Sequence, residues 1–349
     1  MTAFLRVGAI AAAALLLLGG RAEAKDRGAR TAEPEEPQLD PPAQGPRETP
    51  REAQPAPARG AREPEDDEDL AARALQRSLV QRGALLLPVW GLEIIPALSY
   101  GHTSADAAAT VSTASGTLVT LALRRRSHQL TGLLTSRLGL PWDLQVEASV
   151  PVLRAWTDGL LGGLRNDAFG SGLGDPRFSL TRQLLRARGA WPDLLVTGTW
   201  KAQVGSSPFD AGQGQLGVGT GYDAIGATLT GSKASDPLVF LASASYTANL
   251  GVNTNQGRRK PGDTWGLGAG AILAVSPETS MSFLLDFHYK PEDRLRGSAA
   301  LGTDETVAVL QLGLATVASR RALLNFTVGI GLTADSPDFQ LGVSLPLRF

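Results

Sequence analysis

The chain has 349 residues, a formal net charge of −1, 43% hydrophobic residues, 40 Gly, 22 Pro, 3 His and no Cys. The missing cysteines exclude a disulfide framework, a thiolate metal site and a thiol nucleophile, and three histidines nearly exclude a multi-histidine metal centre. The near-zero charge gives no whole-chain field to draw nucleic acid, and no run of about 18 apolar residues follows the N-terminus to make a transmembrane helix.

Residues 1–24 read as a secretory signal. Arg6 supplies the positive n-region, Val7 to Leu18 the apolar core, and Ala22-Glu23-Ala24 a small-x-small cleavage site. The rival is an uncleaved anchor, for which the core is short. Residues 25–66 form a disordered periplasmic arm. Nine of the 22 prolines lie in 25–69, with seven basic and thirteen acidic side chains and Leu39 as the one large aliphatic residue before position 70. So little apolar surface cannot offset the entropy of ordering.

A short helix is expected over 67–84. Acidic residues crowd its start, Arg73, Arg77 and Arg82 lie towards its end, and Gly83 suits a C-cap. Leu75 and Leu79 lie on its weak apolar stripe. Alone it would be marginal in water, so it needs a surface to pack on.

From Gly91 the period changes from 3.6 to 2. Phe339, Leu341, Val343, Leu345, Leu347 and Phe349 alternate with polar or small residues, and so do Leu324, Phe326, Val328, Ile330 and Leu332. Twelve strands follow this rule, at 91–101, 117–138, 143–156, 174–186, 193–206, 215–231, 238–252, 263–275, 279–290, 304–318, 322–333 and 338–349. Short and long connections alternate between them. An even strand count with tight turns at one end and long loops at the other predicts an all-β, twelve-stranded antiparallel transmembrane β-barrel over 85–349. The bacterial outer membrane is then its location, with the arm in the periplasm, lipid as its surroundings and the barrel-assembly machinery as a partner through the strand ending in Phe349.

A soluble barrel would alternate too, but the second face here holds Gly, Ser, Thr, Asn and charges, a poor core. Trp90, Trp142, Trp156, Trp191 and Trp265 sit near strand ends and read as a thin interfacial girdle or as end packing. With apolar faces outward, the lumen is lined by Glu93, Arg137, Glu147, Arg177, Lys201, Asp286, His288 and Lys290. This set reads as a gated substrate path or as internal ion pairs. Its mixed signs argue against strong ion selectivity. Gly217, Gly219 and Gly221 alternate on one strand, Gly266, Gly268 and Gly270 on another, Gly329 and Gly331 on a third. Repeated glycine implies curvature or close approach of another element. Twelve strands about 4.8 Å apart leave a bore of about 14 Å after side chains, and a helix is about 10–12 Å across. The expectation is that the 67–84 helix plugs the lumen, with Leu75 and Leu79 against Gly266, Gly268, Gly270, Gly329 and Gly331.

Leu79–Pro88 (LVQRGALLLP), Leu92–His102 (LEIIPALSYGH), Leu138–Asp143 (LGLPWD) with Glu147, and Gly172–Leu180 (GLGDPRFSL) resemble outer-membrane transporter barrels. They are similar to the phenol meta-pathway barrel family and to Fap-type amyloid-secretion channels. In the secretion barrels the resemblance implies a twelve-stranded homotrimeric channel with a helical plug and a periplasmic coiled coil; the Pro-rich arm and short helix here depart from that pattern. It brings no catalytic residues and no cofactor. The expected function is passive passage or export of a polypeptide or a small apolar compound, gated by the N-terminal helix. No GxxxxGK loop is present to power transport. The alternatives are a barrel-embedded lipase-type enzyme, for which His102-x-Ser104 is the weak candidate, and a structural or adhesin barrel.

Overall fold

The computed structural model describes residues 85–349 apart from 113–117, 162, 163, 166, 190, 213, 277 and 320. The signal segment, the arm and the expected helix with Leu75 and Leu79 lie outside the described residues.

Twelve antiparallel strands close on themselves. They are β1 (Leu92–Ser112), β2 (Leu118–Leu140), β3 (Leu144–Leu161), β4 in two pieces (Ala168–Leu173 and Arg177–Leu185), β5 (Asp193–Lys201), β6 (Ala224–Ser235), β7 (Leu238–Asn249), β8 (Thr264–Ser276), β9 (Thr279–Lys290), β10 (Glu305–Ser319), β11 (Ala322–Gly331) and β12 in two pieces (Phe339–Ser344 and Leu347–Arg348). Each pairs with its neighbour in sequence, and β12 returns to β1 with Ser99 opposite Gly342 and Glu93 opposite Arg348. Closure removes the free edges whose unpaired amides and carbonyls could not be satisfied in hydrocarbon.

The ladder registers assign the faces. Glu93, Arg137 and Glu147 lie in one row across β1, β2 and β3, so the odd positions of these strands face one side. The opposite face carries Leu98, Leu134, Val150, Phe178, Leu229, Phe283, Leu312 and Phe326, each 37–47% exposed. In water this area would be unfavourable by about 25 cal/mol per Å²; against acyl chains it is matched. The alternation therefore points outward with its greasy side, and Ser, Thr, Gly and charged residues line the interior.

The barrel has the expected polarity. Short turns at 141–143 and 236–237 mark one end, where Trp90, Trp142 and Trp191 are 68–81% exposed. At the other end the registers align Phe339, His102, His128, Trp156 and Phe169 in one outward row. Tyr246, Trp265 and Tyr289 form a second row on the far wall. The aromatic belts thus run through both interfaces. Trp200, absent from the expected girdle, faces outward between them and stacks on Phe178 at 5.6 Å.

Several strand assignments need correction: β3 runs on to Leu161 instead of ending at 156, β5 ends at Lys201 and not at 206, and three further differences concern β1, β4 and β6. The first strand does not stop at 101: β1 continues to Ser112, paired along its whole length with β2, whose start at Leu118 agrees with the expected 117. β4 breaks at Gly174-Asp175-Pro176, and its first piece, Ala168–Leu173, occupies sequence read as loop. Residues 215–223 are not strand, since β6 begins at Ala224. Gly217, Gly219 and Gly221 alternate for a different reason, given below.

Candidate functional site in the lumen

At the short-turn end the inward charges form one cluster. Arg137 Nε donates to Glu147 Oε2 at 2.6 Å and its Nη1 lies 3.6 Å from Glu93 Oε2. Arg348 Nε donates to Glu93 Oε1 at 2.9 Å. Glu93 is 1% exposed; a carboxylate so buried is stable only because two guanidinium groups face it. Arg348, not among the expected lumen residues, ties the last strand to the first. The alternation around Phe349 had already put it on the polar face.

The chain enters the barrel at this mouth. The Leu87 amide donates to Gln145 Oε1 at 2.9 Å, and Trp90 N donates to Gly139 O at 2.8 Å. Gln145 and Gly139 are opposite one another on the inward face of β3 and β2. A Cβ on Gly139 would sit 2.1 Å from Pro88 O. Leu87 and Pro88 therefore lie against the inner wall, and Leu87 is 6% exposed.

Arg177 and Lys201 are opposite each other at the ends of β4 and β5. Two inward cations side by side need a counter-charge, and Asp175, in the β4 break, supplies one. The Asp175 carboxylate accepts from the amides of Val204 (3.1 Å), Gly205 (2.9 Å) and Thr220 (2.7 Å), and from the Thr220 hydroxyl (2.6 Å). Lys201 Nζ bonds the Thr220 hydroxyl and lies 4.0 Å from the Tyr222 ring centroid. Asp175 thus pins both stems of the segment between β5 and β6.

That segment folds into the barrel. Leu216 N donates to Phe169 O at 2.9 Å, and a Cβ on inward-facing Gly170 would meet Leu216 O at 2.1 Å. Within it, a Cβ on Gly217 would fall 2.4 Å from Pro208 N and one on Gly219 2.8 Å from Gly205 Cα. The glycines let its two arms, and the arm and the wall, touch backbone to backbone. Gly221 adds a left-handed φ of 80°.

The other expected lumen residues face inward on β9. Lys290 Nζ lies 3.1 Å from Glu305 Oε2. Asp286 and His288 stand opposite Gly268 and Gly266. Cβ atoms there would lie 3.1 Å from Asp286 Oδ1 and 2.7 Å from His288 Nδ1, so these glycines make room for neighbouring side chains. Gly270 faces inward opposite Leu241 and Leu284. Gly329 sits opposite Gln340, and a Cβ on Gly331 would meet Pro337 O at 2.1 Å.

Two further features were not legible in the residue pattern. The long-loop half of the lumen holds a cavity of about 330 Å³ lined by Ser99, Ser127, Gln129, Thr131, Thr157 and Arg125, with Leu216 and Gly217 of the inward segment. The short-turn half has inward aliphatic side chains, Leu195, Val239 and Ile272, that are only 1–2% exposed.

Above the lumen, Val252–Thr254, Gly257–Lys260, Arg294–Leu295 and Ser298–Ala299 form a small sheet. Arg259 donates twice to Asp293 Oδ2, at 3.0 and 2.7 Å, and lies 4.4 Å from the Phe209 ring centroid. The cap therefore touches the inward segment. Beside it, Asp263 accepts from Lys260 Nζ, Tyr246 OH and the Asn249 amide, each at 3.0 Å. Burial opposes its charge, but these hydrogen bonds outweigh that and hold the carboxyl below the usual carboxylate range.

His102 and Ser104 face outward. The His102 ring bonds His128 (Nδ1 to Nδ1, 3.3 Å) and its Nε2 is 3.7 Å from Asp338. Among the described residues no hydrogen bond joins it to Ser104.

No protein-family model matches the chain. Among solved structures, an outer membrane channel from Pseudomonas putida F1 aligns over 76% of this chain and 97% of its own, at 16% identity and a TM-score of 0.57. The translocator domain of autotransporter NalP from Neisseria meningitidis aligns over 81% and 97%, at 12% identity and TM-score 0.40. The CymD monoaromatic hydrocarbon channel aligns over 75% and 88%, at 10% identity and TM-score 0.36. The first likeness is one of fold, and it agrees with the closed ladder and the apolar outer belt: the chain is a twelve-stranded β-barrel of the outer membrane.

Proposed function

We propose that the barrel is a passive channel for small compounds with an apolar body and a hydrogen-bonding end, gated at the short-turn mouth by the N-terminal helix. The observation that carries this reading is the segment between β5 and β6. It leaves the wall after Ala202, whose amide still bonds Pro176 O, and rejoins it at Asp223, whose carbonyl accepts from Leu250 N. By folding inward it narrows the lumen and takes two strands out of the wall at the same level. A cavity of about 330 Å³ admits a small molecule. Its hydroxyl, amide and guanidinium lining can hold a polar end, and the thinned wall offers the apolar body a way towards lipid.

Gating by residues 67–84 is supported from two sides. Leu87 and Pro88 lie against the inner wall at this mouth, so a gating segment ending at 84 would be joined to it directly. The buried inward band of Leu195, Val239 and Ile272 is an apolar surface suited to the Leu75 and Leu79 stripe. That band replaces the glycines as the proposed contact, since Gly266 and Gly268 face their neighbours' side chains.

The test is single-channel conductance together with liposome uptake of a labelled aromatic carboxylic acid. A variant lacking 25–84 is expected to conduct at least tenfold more current than the full chain, on the order of what removing a helix-sized obstruction from a ~14 Å bore allows. A variant with 206–218 replaced by a short Gly-Ser link is expected to lose selectivity for the aromatic acid over a sugar of equal size. Unchanged current in the first variant sinks the gate; unchanged selectivity in the second sinks the small-compound reading.

A further inference from the structure

Cations on the outward face of the described strands are few: Arg124 and Arg126 on β2, Arg154 on β3, Arg165 on the two-residue strand Leu164–Arg165 beside β3, Arg182 on β4 and Lys233 on β6. Arg182 and Lys233 are near the short turns. The other four, all arginines, crowd one patch at the long-loop end, beside the row of Phe339, His102, His128 and Trp156, and Arg165 among them is paired with Asp167 at 3.2 Å. The matching row on the far wall, Tyr246, Trp265 and Tyr289, has no outward cation on its strands.

The patch is built. His128 stacks on Trp156 at 5.2 Å with an interplanar angle of 10°. Tyr100 OH bonds His128 Nδ1 at 2.8 Å. Arg154 is exposed one step below Trp156, and its guanidinium lies 5.4 Å from the Phe169 ring centroid, in the aromatic row. An arginine below the interface can direct its charge to the headgroup level in this way. Arg126, also exposed, lies one step above the row, opposite Asp158. Arg124 is paired with Asp106 at 3.2 Å. Asp158 stands with Arg126, and no carboxylate pairs with Arg154 among the described residues.

Below the patch the outward side chains are Leu98, Leu134, Val150 and Leu341, 37–47% exposed. Acyl chains lie against such a surface, and their headgroups then meet the arginines. Arg126 and Arg154 are four residues apart by register, about 13 Å along the strands. Two guanidinium groups rising from backbone positions on either side of one aromatic row suit a headgroup with phosphates at its two ends, and guanidinium binds phosphate through paired N–H donors.

We infer that this face of β1–β4 binds the phosphorylated disaccharide headgroup of the outer-leaflet glycolipid, lipid A, between Arg126 and Arg154, with Trp156 and His128 as the ring platform. The site orients one side of the barrel towards a fixed lipid.

The test is native mass spectrometry of the full chain in detergent with bisphosphorylated lipid A, its fully dephosphorylated form, or phosphatidylglycerol. The wild type is expected to retain bisphosphorylated lipid A in preference to the other two. In R126Q/R154Q retention should fall by roughly tenfold or more, the scale of losing charge-assisted hydrogen bonds, while R182Q/K233Q stays at the wild-type level. Heat-shifted gel mobility confirms that each variant is folded. Equal retention by R126Q/R154Q overturns the site. Equal retention of phosphatidylglycerol or of dephosphorylated lipid A by the wild type overturns the assignment to a phosphorylated disaccharide.

Discussion

Asp175 and Thr220 lie 45 residues apart, yet the Thr220 amide and hydroxyl both donate to Asp175 Oδ2, at 2.7 and 2.6 Å. With the Val204 and Gly205 amides on Oδ1, a single carboxylate holds both ends of the inward segment. Asp175→Ala leaves those amides without their acceptor. It should cost about 3 kcal/mol, since each buried unsatisfied donor costs about 1–3 kcal/mol. The expected outcome is a lower unfolding midpoint in urea and protease cleavage between 206 and 218 that the wild type resists.

The seam cluster is equally specific. Arg137→Ala leaves Glu93, 1% exposed, with Arg348 alone. Breaking a buried ion pair from one side costs about 3–5 kcal/mol, so the folded, heat-shiftable band should melt at lower temperature. Glu93→Gln removes the buried charge and should cost less. A larger loss for Glu93→Gln than for Arg137→Ala contradicts this account of the seam.

Gly139→Ala tests the entry segment. Its new Cβ would meet Pro88 O at 2.1 Å and Leu87 O at 2.8 Å. Both are backbone atoms that cannot rotate aside. Leu87 and Pro88 must leave the wall, at a cost of about 1–3 kcal/mol for overpacking. Channel current should rise, with Gly198→Ala, where no atom lies within 4 Å, as the comparison for alanine at a strand glycine.

The Asp263 contacts carry a pH dependence. A carboxyl held below its ordinary value of 3.8 stabilises the fold at pH above that value, and the contribution disappears as pH falls through the lower folded-state value. Acidification from pH 5 to about 3 should therefore loosen the loop that joins Asn249 to Thr264. Limited proteolysis with pepsin at each pH should show cleavage in 253–262 rising towards the acid end. In Asp263→Asn the same loop should be cut to an equal extent at both pH values.

The residue pattern alone determined which way the barrel faces. Alternation is local: Leu98, Leu134 and Phe326 on one face and Glu93, Arg137 and Lys201 on the other follow from a period of two, whatever strand lies alongside. Closure into twelve strands, the two ends and the outward belt come from the same source. The tertiary structure decided what the pattern cannot encode. Gly217, Gly219 and Gly221 alternate like a strand, but their spacing serves backbone contact inside the lumen, and glycine has no side chain to reveal which. Glu93 and Arg348 meet across 255 residues, and Asp175 acquires its role only when Thr220 folds back to it. Such contacts depend on where the chain returns, and a local period holds no record of that.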